Sequence, residues 1–239
     1  MKKINKTENS IVFAADMDET VANAIRRYVN HIPICAIDEV EISKNDSALH
    51  DEALAHRIGL IPLKTEKLDE KKPTKLKLEV KGACIVYSGD LKGPLEVVYK
   101  NIPLTNLSAN RELKLDAFVK LGTGAEHSKF SPGLMFYRNA LEIITDKKFY
   151  NELKDICPGI EIEEKGNKII IKDNSKKEIA DVCEGFITKK EGEIKIEEKG
   201  GLVLTIESFG QISSEEIFKK SIDALKKDLI SLNKNIEKI

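Results

Sequence analysis

Apolar residues along this chain recur with two periods, and the switches between them outline its organisation. A short apolar run, SIVFAAD, opens the N-terminal part, and DMDETVANAIRRYVNHIP follows with helical spacing. Met17, Val21, Ala24, Ile25, Tyr28 and Ile32 fall at steps that bury one helix face; Asp16 and Glu19 form the expected capping box, and Pro33 closes the segment. AIDEVEIS alternates apolar and polar, as a half-buried strand does. From about residue 73 to 145 the segments KLKLEVKGACIVYSG, GPLEVVYKNIPLTNL, ELKLDAFVKLGTG and GLMFYRNALEII read as strands punctuated by Gly and Pro. Beyond them, GIEIEEKGNKIIIKD and GEIKIEEKG predict two short strand regions flanking a helix over SKKEIADVCEGF, and GLVLTIESFG predicts another strand. Ser213 and Glu216 predict a second capping box, opening a helix that runs almost to the end.

That last helix carries the most regular signal. Phe218, Ile222, Leu225, Leu229, Leu232, Ile236 and Ile239 are spaced 4-3-4-3-4-3, an apolar seam over three heptads. Periodicity alone leaves two readings open: a helix lying on its own sheet, or one packing on a partner.

A second helix, HDEALAHRIGLIPL at 50–63, gathers two histidines, two carboxylates and an arginine. Its histidines do not form a metal pair. His50 and His56 are six residues apart, about 240° around a helix, so they diverge. Glu52 and His56 sit one turn apart, the spacing of a surface ion pair. Leu54, Ile58 and Ile61 make one apolar stripe, Leu49, Ala53 and Leu60 another, and Arg57 projects between them. A helix touching only its own core needs one stripe, so this segment reads as a docking surface. Its guanidinium is expected to meet a carboxylate or backbone carbonyls. Arg26 and Arg27, beside the apolar face of NAIRRYVN, are either solvated or interface arginines.

Composition narrows the function. The chain has 239 residues, with 39 Lys+Arg against 40 Asp+Glu and a net charge of −1, which disfavours a stand-alone DNA-binding protein. No apolar run of about 18 residues predicts a membrane span, and the N-terminus lacks an apolar signal-peptide stretch. Cys35, Cys84, Cys157 and Cys183 are widely spaced, which points to a reducing, cytoplasmic location. No Ser-His-Asp order or acidic metal cluster emerges, so no catalytic, cofactor-binding or metal residue is assigned. The glycines of LGTGAEHSKFSPG lack the third glycine of a dinucleotide loop, since position 127 is His. A turn ordered against another subunit is expected there, rather than nucleotide contact by His127 and Lys129.

ETVANAIRRYVNHIPICAIDEVEI, DEALAHRIGLIPL and FVKLGTGAEHSKFSPG together resemble, in order, the signature segments of the D-type subunit of archaeal DNA-directed RNA polymerase. This family is the counterpart of bacterial alpha and of the eukaryotic third-largest polymerase subunit. The resemblance covers essentially the whole chain and implies an α+β fold. A discontinuous alpha-like dimerisation domain (1–48 and 200–239) would hold an inserted mostly-β domain (49–145) and a ferredoxin-like insert (146–199). It implies a non-catalytic assembly role: pairing with subunit L through the terminal seam, then providing the platform for subunits N and P and the large catalytic subunits. DNA and RNA would be met only through the assembled polymerase, and no membrane is involved. Arg26, Arg27 and Arg57 would face the large subunits.

One departure concerns the cofactor. Many members bind iron–sulfur clusters through C-x2-C-x2-C-x3-C runs, and here only Cys157 and Cys183 match, as the last cysteine of each. The other positions hold Leu153, Tyr150 and Lys147, and Ile179, Lys176 and Asp173. In a two-cluster ferredoxin the last cysteines serve different clusters, so the two survivors are expected at different sites. No cluster is expected; the domain should be held by Ile160, Ile162, Ile169, Ile171, Val182 and Phe186. Cys35 and Cys84 are expected to be buried small hydrophobes. The competing reading is a degenerate ferredoxin-type electron carrier or redox sensor.

Overall fold

The computed structural model describes residues 2–65, 74–157, 160–172 and 179–238. It is a mixed α/β structure with three antiparallel or mixed sheets, of six, three and two strands. The chain divides into two compact units, Met1–Asn23 with Met135–Ile206, and Ala24–Leu134 with Glu207–Ile239.

The first unit is built on the six-stranded sheet. Strand β1 (Lys2–Lys6) pairs antiparallel with β2 (Ser10–Ala15), whose Ile11, Phe13 and Ala15 point inward at period two. The charged stretch of β1 gave no strand signal in the sequence. The sheet continues through β11 (Ile194–Ser208) to β8 (Gly133–Asp146), then β10 (Lys168–Lys172) and β9 (Glu161–Lys165). Helices α3 (Tyr150–Ile156) and α4 (Ile179–Lys189) are interspersed, so the chain order is β8-α3-β9-β10-α4-β11 while the sheet order is β11-β8-β10-β9. Ile143, Phe149, Leu153, Ile169, Ile171, Ile179, Cys183 and Ile187 form the core between them. Helix α4 buries Ile179, Cys183 and Ile187 at four-residue steps, and Val182, expected inside, is 39% exposed. The two strands expected on either side of residue 200 are one continuous β11, passing through Gly200 and Gly201, both at positive φ. Two glycines in a row read as a break, yet they bend the strand without ending it.

The second unit carries the three-stranded sheet β3 (Ile34–Asn45), β7 (Glu112–Gly122) and β4 (Thr74–Lys81), with β7 central and antiparallel to both neighbours. A hairpin of β5 (Cys84–Tyr87) and β6 (Pro103–Leu107) and helix α2 (Asp51–Gly59) close over it. Leu54, Ile58, Ile61, Leu76, Leu78, Leu104, Leu113 and Leu115 are in one apolar cluster, each no more than 2% exposed. Cys35 is buried in it as expected, whereas Cys84 is only half-buried, its thiol facing the Gly82 carbonyl at 3.5 Å.

Helix α1 (Glu19–Tyr28) begins later than Asp16 suggested. Asp18 caps it: its carboxylate accepts the Thr20 N–H at 2.7 Å, and its carbonyl accepts the Ala22 N–H at 3.0 Å. The Thr20 bonds hold the Asp18 carboxyl below its usual range. The face this segment buries consists of Ala22, Ile25, Val29 and Ile32, while Val21 is 48% exposed. The later start leaves Met17 outside the helix, and the face that packs is centred on Ala22, Ile25, Val29 and Ile32 instead of on Val21.

The last helix, α5 (Ser214–Ile236), opens with the expected capping box. Ser213 Oγ accepts the Glu216 N–H at 3.3 Å and the Glu216 carboxylate accepts the Ser213 N–H at 3.2 Å.

Candidate docking surface

All nine side chains assigned above from the seam and the arginines, Phe218 to Ile236 and Arg26, Arg27 and Arg57, belong to the second unit. Ile239 lies outside the described residues.

Helix α5 has two faces with different fates. Ser214, Ile217 and Ser221 are buried against the same unit, and farther along Tyr28 donates a hydrogen bond to the Asp228 carboxylate at 2.9 Å. That carboxylate pushes the Tyr28 phenol above its usual range. The heptad seam is turned elsewhere. Phe218, Ile222 and Leu225 are half-buried, and Leu229, Leu232 and Ile236 are 57%, 56% and 59% exposed. Every residue from Lys226 to Ile236 is exposed. These 11 residues span about three turns of helix with no buried side chain, tied to the rest of the unit by the Tyr28–Asp228 hydrogen bond near their start. An isolated helix of that length is marginal in water, because propagation barely offsets the cost of its nucleus. Four large apolar side chains of this stretch, Ile230 included, face solvent together.

Helix α2 shows the two-stripe arrangement read from its sequence. Leu54, Ile58 and Ile61 are buried, Leu60 is exposed, and Ala53 and Leu49 complete the outer stripe. Arg57 is exposed, and its Nη2 donates to the carbonyl of Pro103 at 2.5 Å. The guanidinium thus meets a backbone carbonyl and ties α2 to β6. Arg26 and Arg27 are exposed in the last turn of α1, where a positive charge also suits the helix dipole.

The LGTGAEHSKFSPG loop is ordered by its own chain. Lys129 Nζ is 2.6 Å from Asp38, and the Ala125 N–H donates to the Asn30 carbonyl. His127 Nδ1 accepts the Lys129 N–H at 3.1 Å. Its glycines serve close packing: a Cβ on Gly122 would lie 2.7 Å from the Phe130 ring, and one on Gly124 2.8 Å from the Asn30 amide. Both His127 and Lys129 are therefore engaged inside the molecule.

Cys157 and Cys183 were expected at different sites, and the structure brings their thiols together. Both are buried. The Cys183 thiol is pushed up to about 12, first by burial and then by Cys157 beside it. Of the positions that the resemblance compares with cluster ligands, Leu153 and Ile179 are core residues, Tyr150 is partly buried against that core, Lys147 is exposed, and Lys176 and Asp173 lie outside the described residues. Among the described residues no group of three or more His, Cys, Asp or Glu is placed to hold a metal ion.

Residues 37–135 match the family model of the RNA polymerase Rpb3/RpoA insert domain. Over 94% of its length the chain is 34% identical to DNA-directed RNA polymerase subunit Rpo3 of Thermococcus kodakarensis, covering 92% of that protein. It is 33% identical to the Rpo3 subunit of Pyrococcus horikoshii (94% and 93% covered) and 34% to that of Methanothermobacter thermautotrophicus (92% of each). The chain belongs to the archaeal RNA polymerase subunit Rpo3 family. As an Rpo3-family chain it is a subunit of DNA-directed RNA polymerase, in agreement with the D-type resemblance of its signature segments. The stretch matched by the insert-domain model contains Arg57, Leu60 and the glycine loop, and no helix among the described residues is long and apolar enough to cross a membrane. Two features of this Rpo3-family chain escaped the sequence reading. The contact between Cys157 and Cys183 has no signature at a separation of 26 residues, and Gln211, a buried amide in a loop, stands outside any apolar period.

Proposed function

We propose that this chain is the non-catalytic assembly scaffold of its polymerase, pairing with subunit L to form the platform on which subunits N and P and the large catalytic subunits assemble in the cytoplasm. The observation that carries this reading is the outer half of α5. Leu229, Leu232 and Ile236 continue a heptad seam into solvent on a stretch of helix with no buried side chain. A sister helix laid along Phe218, Ile222, Leu225, Leu229, Leu232 and Ile236 would bury that seam and stabilise the helix together. Arg26, Arg27 and Arg57 are assigned to the large subunits, as exposed forked donors on surfaces that their own core leaves uncovered.

The domain division proposed with this role is 1–48 and 200–239 for dimerisation, 49–145 for the inserted mostly-β domain and 146–199 for a ferredoxin-like domain. The β-α-β-β-α-β order of β8 to β11 supports the last of these. We propose that it holds no iron–sulfur cluster, because six of the eight positions compared with cluster ligands are not cysteine, and two of these, Leu153 and Ile179, are part of the apolar core. Purified protein should contain no stoichiometric iron and show no visible absorption shoulder. Either signal would overturn this and favour the redox reading.

Expressing the chain with and without subunit L tests the scaffold itself. A soluble one-to-one pair is expected on co-expression and an aggregating or unstable chain alone. A well-behaved monomer indifferent to subunit L would refute the proposal.

A further inference from the structure

We infer that the helix of subunit L laid along the α5 seam carries a carboxylate at the margin of its own apolar stripe, and that this carboxylate pairs with Lys226. The inference rests on the assembly reading above, which seats a sister helix on that seam, and names the chemistry that picks the sister out.

Lys226 stands inside the apolar patch and not at its edge. Residues three and four apart are neighbours on a helix surface, so Ile222, Leu229 and Ile230 surround it. Leu229 and Ile230 are 57% and 46% exposed, and Ile222 is half-buried. A partner that covers these three side chains also covers the lysine between them. Lys226 lies about 180° around the helix from buried Ile217, on the side away from the chain's own unit. Among the described residues no carboxylate is in ion-pair contact with Lys226, or with Lys219 one heptad earlier on the same margin. The opposite margin is closed from within, since Ser221 is fully buried and Asp228 accepts the Tyr28 hydroxyl. A covered ammonium without a counter-charge is costly, and a carboxylate on the incoming helix removes that cost.

Heptad geometry rules out a second copy of this chain as the source. In a parallel pair the residue facing Lys226 across the seam lies five positions earlier on the other helix, which is Ser221. In an antiparallel pair Lys226 faces a residue of its own margin, and these are Lys219, Lys226 and Asn233. None is acidic. The other margin has one acidic residue, Asp228, which faces Asn233 in the parallel pair and its own margin in the antiparallel one. Two identical seams thus combine matching apolar spacing with mismatched charge, and the lysine margin favours a different, acidic helix.

The test uses the full chain co-purified with subunit L and follows dissociation of the pair on dilution, at low and at high salt. Lys226 is exposed, so its variants leave the fold of the chain intact. Lys226→Arg should bind subunit L as wild type does, Lys226→Met about tenfold more weakly, and Lys226→Glu more weakly still. The gap between wild type and Lys226→Met should narrow at high salt. Equal affinity across the series, tighter binding by Lys226→Glu, or a gap indifferent to salt would overturn the inference. A lone chain that runs as a discrete dimer would do so too, by putting a second copy on the seam. Charge reversal at Leu225 and Leu229 keeps the two levels apart. If it breaks the pair while the Lys226 series stays flat, the scaffold reading stands and the acidic partner falls. If wild type forms no pair with subunit L, both fall.

Discussion

Asp38 shows how single residues hold the glycine-rich loop. Its carboxylate accepts from Lys129, which is only 14% exposed and lies 5.1 Å from the centre of the Phe130 ring. The Lys129 hydrogen bond holds the Asp38 carboxyl below its usual range. A carboxyl depressed in the folded state stabilises it above the unfolded value of about 4, and that contribution is lost as pH falls through the folded value. Lys129→Met should therefore cost about 1 kcal/mol or less at pH 7, since Asp38 is about a third exposed and solvent screens the pair. Urea midpoints should show the difference from wild type shrinking at about pH 3. A deficit equally large in acid would mean that packing on Phe130, not the ion pair, anchors the loop. The sequence led us to expect this loop to be ordered against another subunit, and its anchor within the chain was not legible, because Asp38 is 91 residues away.

Among the elements, α5 divides its work between two faces, and only one was legible. The seam stood out because seven large apolar residues keep heptad spacing. The face packed on its own unit is made of Ser214, Ile217 and Ser221, so small and polar residues hid it from any apolar pattern. Position was likewise hidden in α1, which starts two residues later than the first cap candidate and buries a face shifted from the expected one. Helix start signals are local and degenerate, and tertiary packing chose Asp18 over Asp16. The two faces of α5 predict opposite responses. Ile217→Ala should destabilise the fold of the chain within its co-expressed pair by about 2–5 kcal/mol, as for other buried large-to-small changes. Leu232→Ala should leave that fold near wild type while weakening the pair with subunit L. Chemical denaturation of the pair at a saturating concentration of subunit L and a dilution titration of the pair separate them.

At the scale of the molecule, nearly every strand region was readable, since alternation survives whatever the strands pair with. Pairing was not readable: β1 and β2 join β11 across almost the full length of the chain, and no local pattern encodes such a partner. The assembly proposal assigns different steps to different surfaces. Charge reversal at Leu225 and Leu229 should abolish pairing with subunit L, whereas Arg57→Glu should leave the pair intact and block the large subunits. Gel filtration of co-expressed variants reads the first step and reconstitution the second. If both changes disrupted the same step, the division of surfaces would be wrong.

The solvent-facing end of α5 bears on how a cell keeps its subunits in proportion. Lys226, Lys227 and Lys234 are exposed on turns of α5 that carry no buried side chain, so an orphan copy offers these bonds to proteases that cut locally unfolded helix. A copy already joined to its sister would withhold those bonds. Surplus would then be cleared and matched partners spared, with no regulator beyond the chain's own unfinished end.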